Sequence, residues 1–103
     1  PLIDLPQMAK MVQQMVKDSL DAYVSENMNL ANSVGKADDD VDSLHKQIFR
    51  ELLVLMMERP SSISQATHLL FVSRSLERIA DHATNISESV IYLVSGKRVD
   101  LNE

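Results

Sequence analysis

The sequence predicts an all-α fold, an antiparallel up-down-up bundle of three helices, and three observations carry that expectation. Only two Gly and three Pro occur among 103 residues, too few for the turns that β-hairpins need, while helix formers such as Leu, Met, Ala, Glu, Lys and Gln are plentiful. Apolar residues recur near the 3.6-residue period over long stretches. The breaks between those stretches are short, which makes sequential helices antiparallel neighbours.

The first helix is expected to start near Leu5, with Asp4 and Gln7 as a capping box around Pro6. Its stripe runs through Leu5, Met8, Val12, Met15, Val16, Tyr23, Leu30 and Val34, and Gly35 offers a left-handed position to end it. The second helix is expected from about Ala37 to Glu58, opened by the acidic Asp38, Asp39 and Asp40, which suit a helix N-terminus. Val41, Leu44, Ile48, Leu52 and Leu55 form its stripe, and Arg59-Pro60 stops it because a residue before proline is pushed out of the α region. Ser62 with Gln65 reads as another capping box, followed by a third helix over about 63–95 that Gly96 closes. Its seam of Leu69, Ser73, Leu76, Ala80, Ala83, Ser87, Val90 and Val94 is rich in small residues, which allows close helix approach.

At this length residues 1–103 make one domain. Because the chain opens on Pro1, it reads as a piece of a longer protein. A formal charge of -5 disfavours nucleic acid as a partner, since phosphate contacts need clustered Lys and Arg. The absence of Cys excludes disulfides and thiolate zinc sites. No apolar run approaches the roughly 20 residues that span a bilayer, so no direct membrane insertion is expected. Catalysis has no visible apparatus: there is no nucleophile with a base in reach, no phosphate-cradling glycine loop and no dinucleotide fingerprint.

Two acidic pairs at i, i+4 supply the candidate site. Asp38 with Asp42 and Glu77 with Asp81 each lie on one helix face. Asp38 and Asp81 are equally far from the Arg59-Pro60 turn, and so are Asp42 and Glu77, which puts four carboxylates at two adjacent levels of the bundle. Such repulsion calls for an offset, and a hard cation with oxygen ligands provides one. Asn85 could add a neutral carbonyl, and Glu88 continues the polar stripe. The alternative is ordinary charge pairing: Asp38 as a helix-terminal charge, Asp42 with Lys46, and Glu77 and Asp81 with Arg74 and Arg78. An EF-hand fails because Ser43 and Phe49 stand where Gly and Glu are required. A ferritin-like centre fails because only Asp42 with His45 approximates a Glu-x-x-His element. His45, His68 and His82 share no ligand spacing and read as surface or rim residues, while Met8, Met11 and Met15 read as core filler.

The segment Ser75 to Ser87, SLERIADHATNIS, followed by VIYLVSGK, closely resembles the last helix of PhoU proteins, a family of phosphate-transport regulators. PLIDLPQMA and ADDDVDSLHKQIFREL resemble the second of that family's two internal repeats, so the likeness covers nearly the whole chain. It implies a three-helix repeat, here one of two, with (Glu/Asp)-x-x-x-Asp motifs mapping onto Asp38, Asp42, Glu77 and Asp81. The implied cofactors are divalent or trivalent metal ions, with iron and zinc as candidates. The implied role is a non-enzymatic adaptor between a phosphate ABC transporter ATPase and a phosphate sensor histidine kinase, cytoplasmic and peripheral to the membrane through those partners. Two rival readings are a metal-storage or redox metalloprotein and a purely structural bundle.

A candidate interface closes the reading. Leu52 to Met57 is a run of six apolar residues and Leu69 to Val72 a run of four, more than a core-facing stripe requires. Leu53, Met57 and Phe71 are therefore expected to point outward near the Arg59-Pro60 end, where a second copy or the other repeat would pack.

Overall fold

A two-residue break, Glu26 and Asn27, divides the first half of the chain into two helices in the computed structural model, which describes residues 4–96. Helix α1 spans Asp4–Ser25, α2 spans Met28–Glu58 and α3 spans Ile63–Ser95, with a single 3-10 turn, Pro60–Ser62, between the last two. The fold is the expected all-α up-down-up bundle, 53 Å along its longest axis. That matches the roughly 50 Å of a 33-residue helix rising 1.5 Å per residue.

The first break is not where the apolar period placed it. Asn27 is extended and its side-chain oxygen accepts from the Leu30 amide at 3.0 Å, satisfying a donor that a new helix leaves unpaired. Glu26, at φ 54°, takes the left-handed step that reverses the chain. Local capping chemistry thus overrides a stripe that reads continuously from Leu5 to Val34. As a result α2 begins nine residues before Ala37, and Gly35 is buried inside it rather than ending a helix. Tyr23, counted into the stripe, is 57 % exposed beside the turn.

Neither expected capping box is what holds its helix end. Asp4 is already helical and its carboxylate accepts from Gln47 Nε2 at 3.2 Å, tying α1 to α2. Ser62 makes no side-chain cap on α3; its hydroxyl donates back to the Arg59 carbonyl at 2.6 Å and so finishes the preceding turn. Gly96 does take the left-handed position at the end of α3, with φ 74° and its amide bonded to the Tyr92 carbonyl.

The main core joins Met8, Val12 and Met15 of α1 to Val34, Val41, Ile48 and Leu52 of α2 and to Ala66, Ala80 and Ala83 of α3. Truncating a side chain such as Ile48 to Ala removes packing worth about 2–5 kcal/mol. A smaller cluster of Ala22, Ala31, Val90 and Ile91 seals the end that carries the first turn. The small residues of the α3 seam are buried as expected. Their size brings α2 and α3 close together over the length that carries both acidic pairs.

Candidate functional site

Asp38, Asp39, Asp42, Glu77, Asp81 and Asn85 line one open pocket of about 530 Å³ where α2 faces α3. The antiparallel register explains it, since residues equally distant from the Arg59-Pro60 turn meet across the interface. The four carboxylates singled out by spacing are thus brought together, Asn85 with them. Asp39 joins the lining, whereas Glu88 does not. Every lining residue offers oxygen, and no Lys, Arg or His is among them.

The pocket holds negative charge without the compensation that ordinary pairing would give. Because α2 starts at Met28, Asp38 lies in the helix interior, far from the terminus whose partial positive charge would welcome it. It is only 9 % exposed. Burial raises its carboxyl to about 6, Asp81 adds to the rise, and hydrogen bonding to Thr84 pulls the other way. Asp42 does pair with Lys46 at 3.2 Å on the surface. No such ion pair joins Glu77 or Asp81 to Arg74 or Arg78 among the described residues, so that half of the charge-pairing alternative is absent.

Asp42 and Glu77 are set against each other across the interface and interact strongly. Burial and then the interaction with Asp42, with repulsion from Asp42, Asp81 and Asp38, push Glu77 up to about 7. The interaction with Glu77, helped by Lys46 and His45, holds Asp42 below its ordinary value. Glu77 is thus the more readily protonated member of the pair. Among the described residues no three His, Cys, Asp or Glu side chains are grouped tightly enough to grip a metal ion as they stand. In its donor chemistry the pocket nevertheless fits a hard cation, which asks for several oxygen ligands.

His45, expected as a surface or rim residue without a ligand role, lies half-buried between two helices. Its ring bridges α2 and α3, with Nδ1 at 2.6 Å from the Ser73 hydroxyl and Nε2 at 3.7 Å from Glu77 Oε1. Its side chain is only 19 % exposed. The signal was present: His45 lies three residues after Asp42, on the same helix face, and nearly level with Ser73 and Glu77 across the turn. His68 and His82 are exposed as expected. Met8 and Met15 are fully buried, with Met11 packed against them.

At the Arg59-Pro60 end, Leu53, Met57 and Phe71 are 40, 81 and 63 % exposed, with Val54 and Ile63 exposed in the same region. No helix among the described residues is long and apolar enough to cross a membrane.

Comparison with known proteins agrees with this architecture. The sequence model of one family, described as the PhoU domain, matches residues 5–90. A phosphate-specific transport system accessory protein PhoU homolog from Clostridium acetobutylicum is 56 % identical over 96 residues, covering 93 % of this chain and 44 % of that protein. The homolog of the same name from Rhizobium meliloti is 42 % identical, covering 89 % of this chain and 39 % of its own length. The crystal structure of PhoU from Pseudomonas aeruginosa superposes with a TM-score of 0.87 at 46 % identity, over 89 % of this chain and 44 % of that one. The chain thus spans under half the length of the relatives it matches.

Proposed function

Since this chain belongs to the PhoU family, we propose that it is a regulatory module of phosphate transport that binds a metal cation in its carboxylate pocket and performs no catalysis. Its relatives are named as accessory proteins of the phosphate-specific transport system, and that role is carried here to the chain. The observation that carries the metal reading is the pocket itself, where five carboxylates and an amide from two helices face one another with no basic side chain in the lining.

Asp38, Asp42, Glu77 and Asp81 would hold the ion, with Asn85 as a further oxygen donor. A bound cation supplies positive charge and oxygen coordination, which cancel the repulsion across the α2–α3 interface and cross-link the two longest helices. An all-oxygen set suits Mg, Ca, Mn and iron, with zinc a further candidate. The module acts as an adaptor between the phosphate ABC transporter ATPase and the phosphate sensor histidine kinase, on the cytoplasmic side and peripheral to the membrane. Its exposed end around Leu53, Met57 and Phe71 is the surface for a second copy or for the remainder of a longer chain.

Elemental analysis of protein purified without chelators, run alongside a pull-down from membranes, tests this. The adaptor reading expects bound metal and capture of transporter or kinase components with no turnover. Metal-dependent oxidation would point to a redox or storage protein instead, and neither metal nor capture would leave a structural bundle.

A further inference from the structure

The polar groups just behind the pocket form a connected line that crosses the bundle. Met8 of α1, Ser73 of α3, His45 of α2 and Glu77 of α3 follow one another, with Ser73 Oγ at 3.6 Å from Met8 Sδ and at 2.6 Å from His45 Nδ1. Both Met8 and Ser73 are fully buried, so the hydroxyl is held in place by packing and cannot turn to water. A buried hydroxyl needs a partner for its single hydrogen. Imidazole nitrogen is a far stronger acceptor than a thioether sulfur and is also a full ångström nearer, so we assign the hydroxyl hydrogen to Nδ1. The ring then carries its own hydrogen on Nε2, the nitrogen that faces Glu77 Oε1 at 3.7 Å.

We propose that His45 is the positioning residue of the carboxylate pocket: fixed by the Ser73 hydroxyl, it aims an Nε2–H at Glu77 and holds that carboxylate in the orientation a cation requires. The proposal rests on the reading of the pocket as a cation site. His45 itself does not line the pocket, so it acts through Glu77 rather than as a ligand. Glu77 needs such a hold, because its other described partner is Asp42, a group from which an ion must separate it. Outer partners of this kind typically change metal affinity 10–100-fold when removed. The distance of 3.7 Å is long for a hydrogen bond, so in the metal-free chain the ring faces Glu77 without gripping it.

Titration of the chelator-treated 103-residue chain with Mn²⁺ alone, by calorimetry, measures the effect on affinity. His45→Ala is expected to lose roughly tenfold or more in Mn²⁺ affinity. His45→Gln, which keeps an N–H donor of similar reach and guards against a folding artefact, is expected to recover most of that loss. Ser73→Ala should weaken binding in the same direction, with an effect that is not additive to that of His45→Ala. Independently of metal, ¹⁵N NMR of the ring at pH 8 should show hydrogen on Nε2 in the parent chain and a weakened preference in Ser73→Ala. A ring carrying its hydrogen on Nδ1, unchanged Mn²⁺ affinity in His45→Ala, or His45→Gln as weak as His45→Ala would overturn the positioning role while leaving the cation reading intact. A parent chain that does not bind Mn²⁺, or any of Mg²⁺, Ca²⁺, Zn²⁺ and Fe²⁺ tried in its place, would overturn both.

Discussion

The carboxyl groups of Asp42 and Glu77 face each other across the α2–α3 interface, with Glu77 pushed up to about 7 and Asp42 held below its ordinary value. Two carboxyls this close resist ionising together.

The stability of the metal-free chain should therefore fall as pH rises from about 5 to 8. Folding raises Asp38 from 3.8 to about 6 and Glu77 from 4.5 to about 7. A carboxyl raised on folding contributes stability that is complete below its unfolded value and is lost through its folded value. Asp42 is shifted the other way, and its contribution changes only at pH values below the ordinary carboxylate range. Urea unfolding in EDTA at pH 5 and pH 8 checks this, and greater stability at pH 8 would contradict the electrostatics described here.

Glu77→Gln should preserve a hydrogen bond to Asp42 while removing one charge. In EDTA at pH 8 it should stabilise the chain on the order of 0.5–1 kcal/mol, allowing for solvent screening of a partly exposed cluster. Asp38→Asn should act in the same direction. Both should weaken cation binding, so the order of stabilities should invert when metal is added. If either change destabilised the metal-free chain clearly, the carboxylates would be supporting the fold by ordinary pairing.

The first turn offers a test confined to the fold. Asn27→Ala removes the side-chain acceptor for the Leu30 amide and should cost about 1 kcal/mol. Glu26→Gly relieves a positive φ and should gain up to about 1 kcal/mol. Each kcal/mol corresponds to about 4–8 °C in Tm for a domain of this size, so thermal unfolding resolves both.

Self-association should depend on the exposed apolar side chains near the Arg59-Pro60 turn. Replacing Leu53, Met57 and Phe71 by Gln or Ser should shift sedimentation at micromolar concentration toward the monomer with little loss of helix content. Monomeric behaviour of the parent chain under the same conditions would remove the case for an interface between copies.

Much of this organisation was legible before any coordinates. The Arg59-Pro60 stop depends on local backbone sterics, so it was readable, and with it came the register that sets Asp42 against Glu77 and Asp38 against Asp81. The Glu26-Asn27 break was not read, because the apolar period runs through it and the decision rests on one Asn side chain and one left-handed residue. That error hid a consequence for the site: Asp38 looked like a helix-terminal charge, whereas it is an uncompensated charge in a helix interior. His45 was missed for a different reason. Its role depends on Ser73, a small residue in a seam of small residues, whose hydroxyl gains meaning only once buried opposite the ring.

The central claim, that the carboxylate pocket takes a cation in place of a proton, meets its most direct test in proton release on metal binding. Calorimetric titration with Mn²⁺ at pH 6.5, repeated in two buffers of different ionisation enthalpy, counts protons displaced per ion bound. The account predicts binding by the chelator-treated chain with net proton release, reduced in Glu77→Gln because the proton of Glu77 is no longer there to lose. Absence of binding, or binding with equal proton release in the parent chain and in Glu77→Gln, would contradict it.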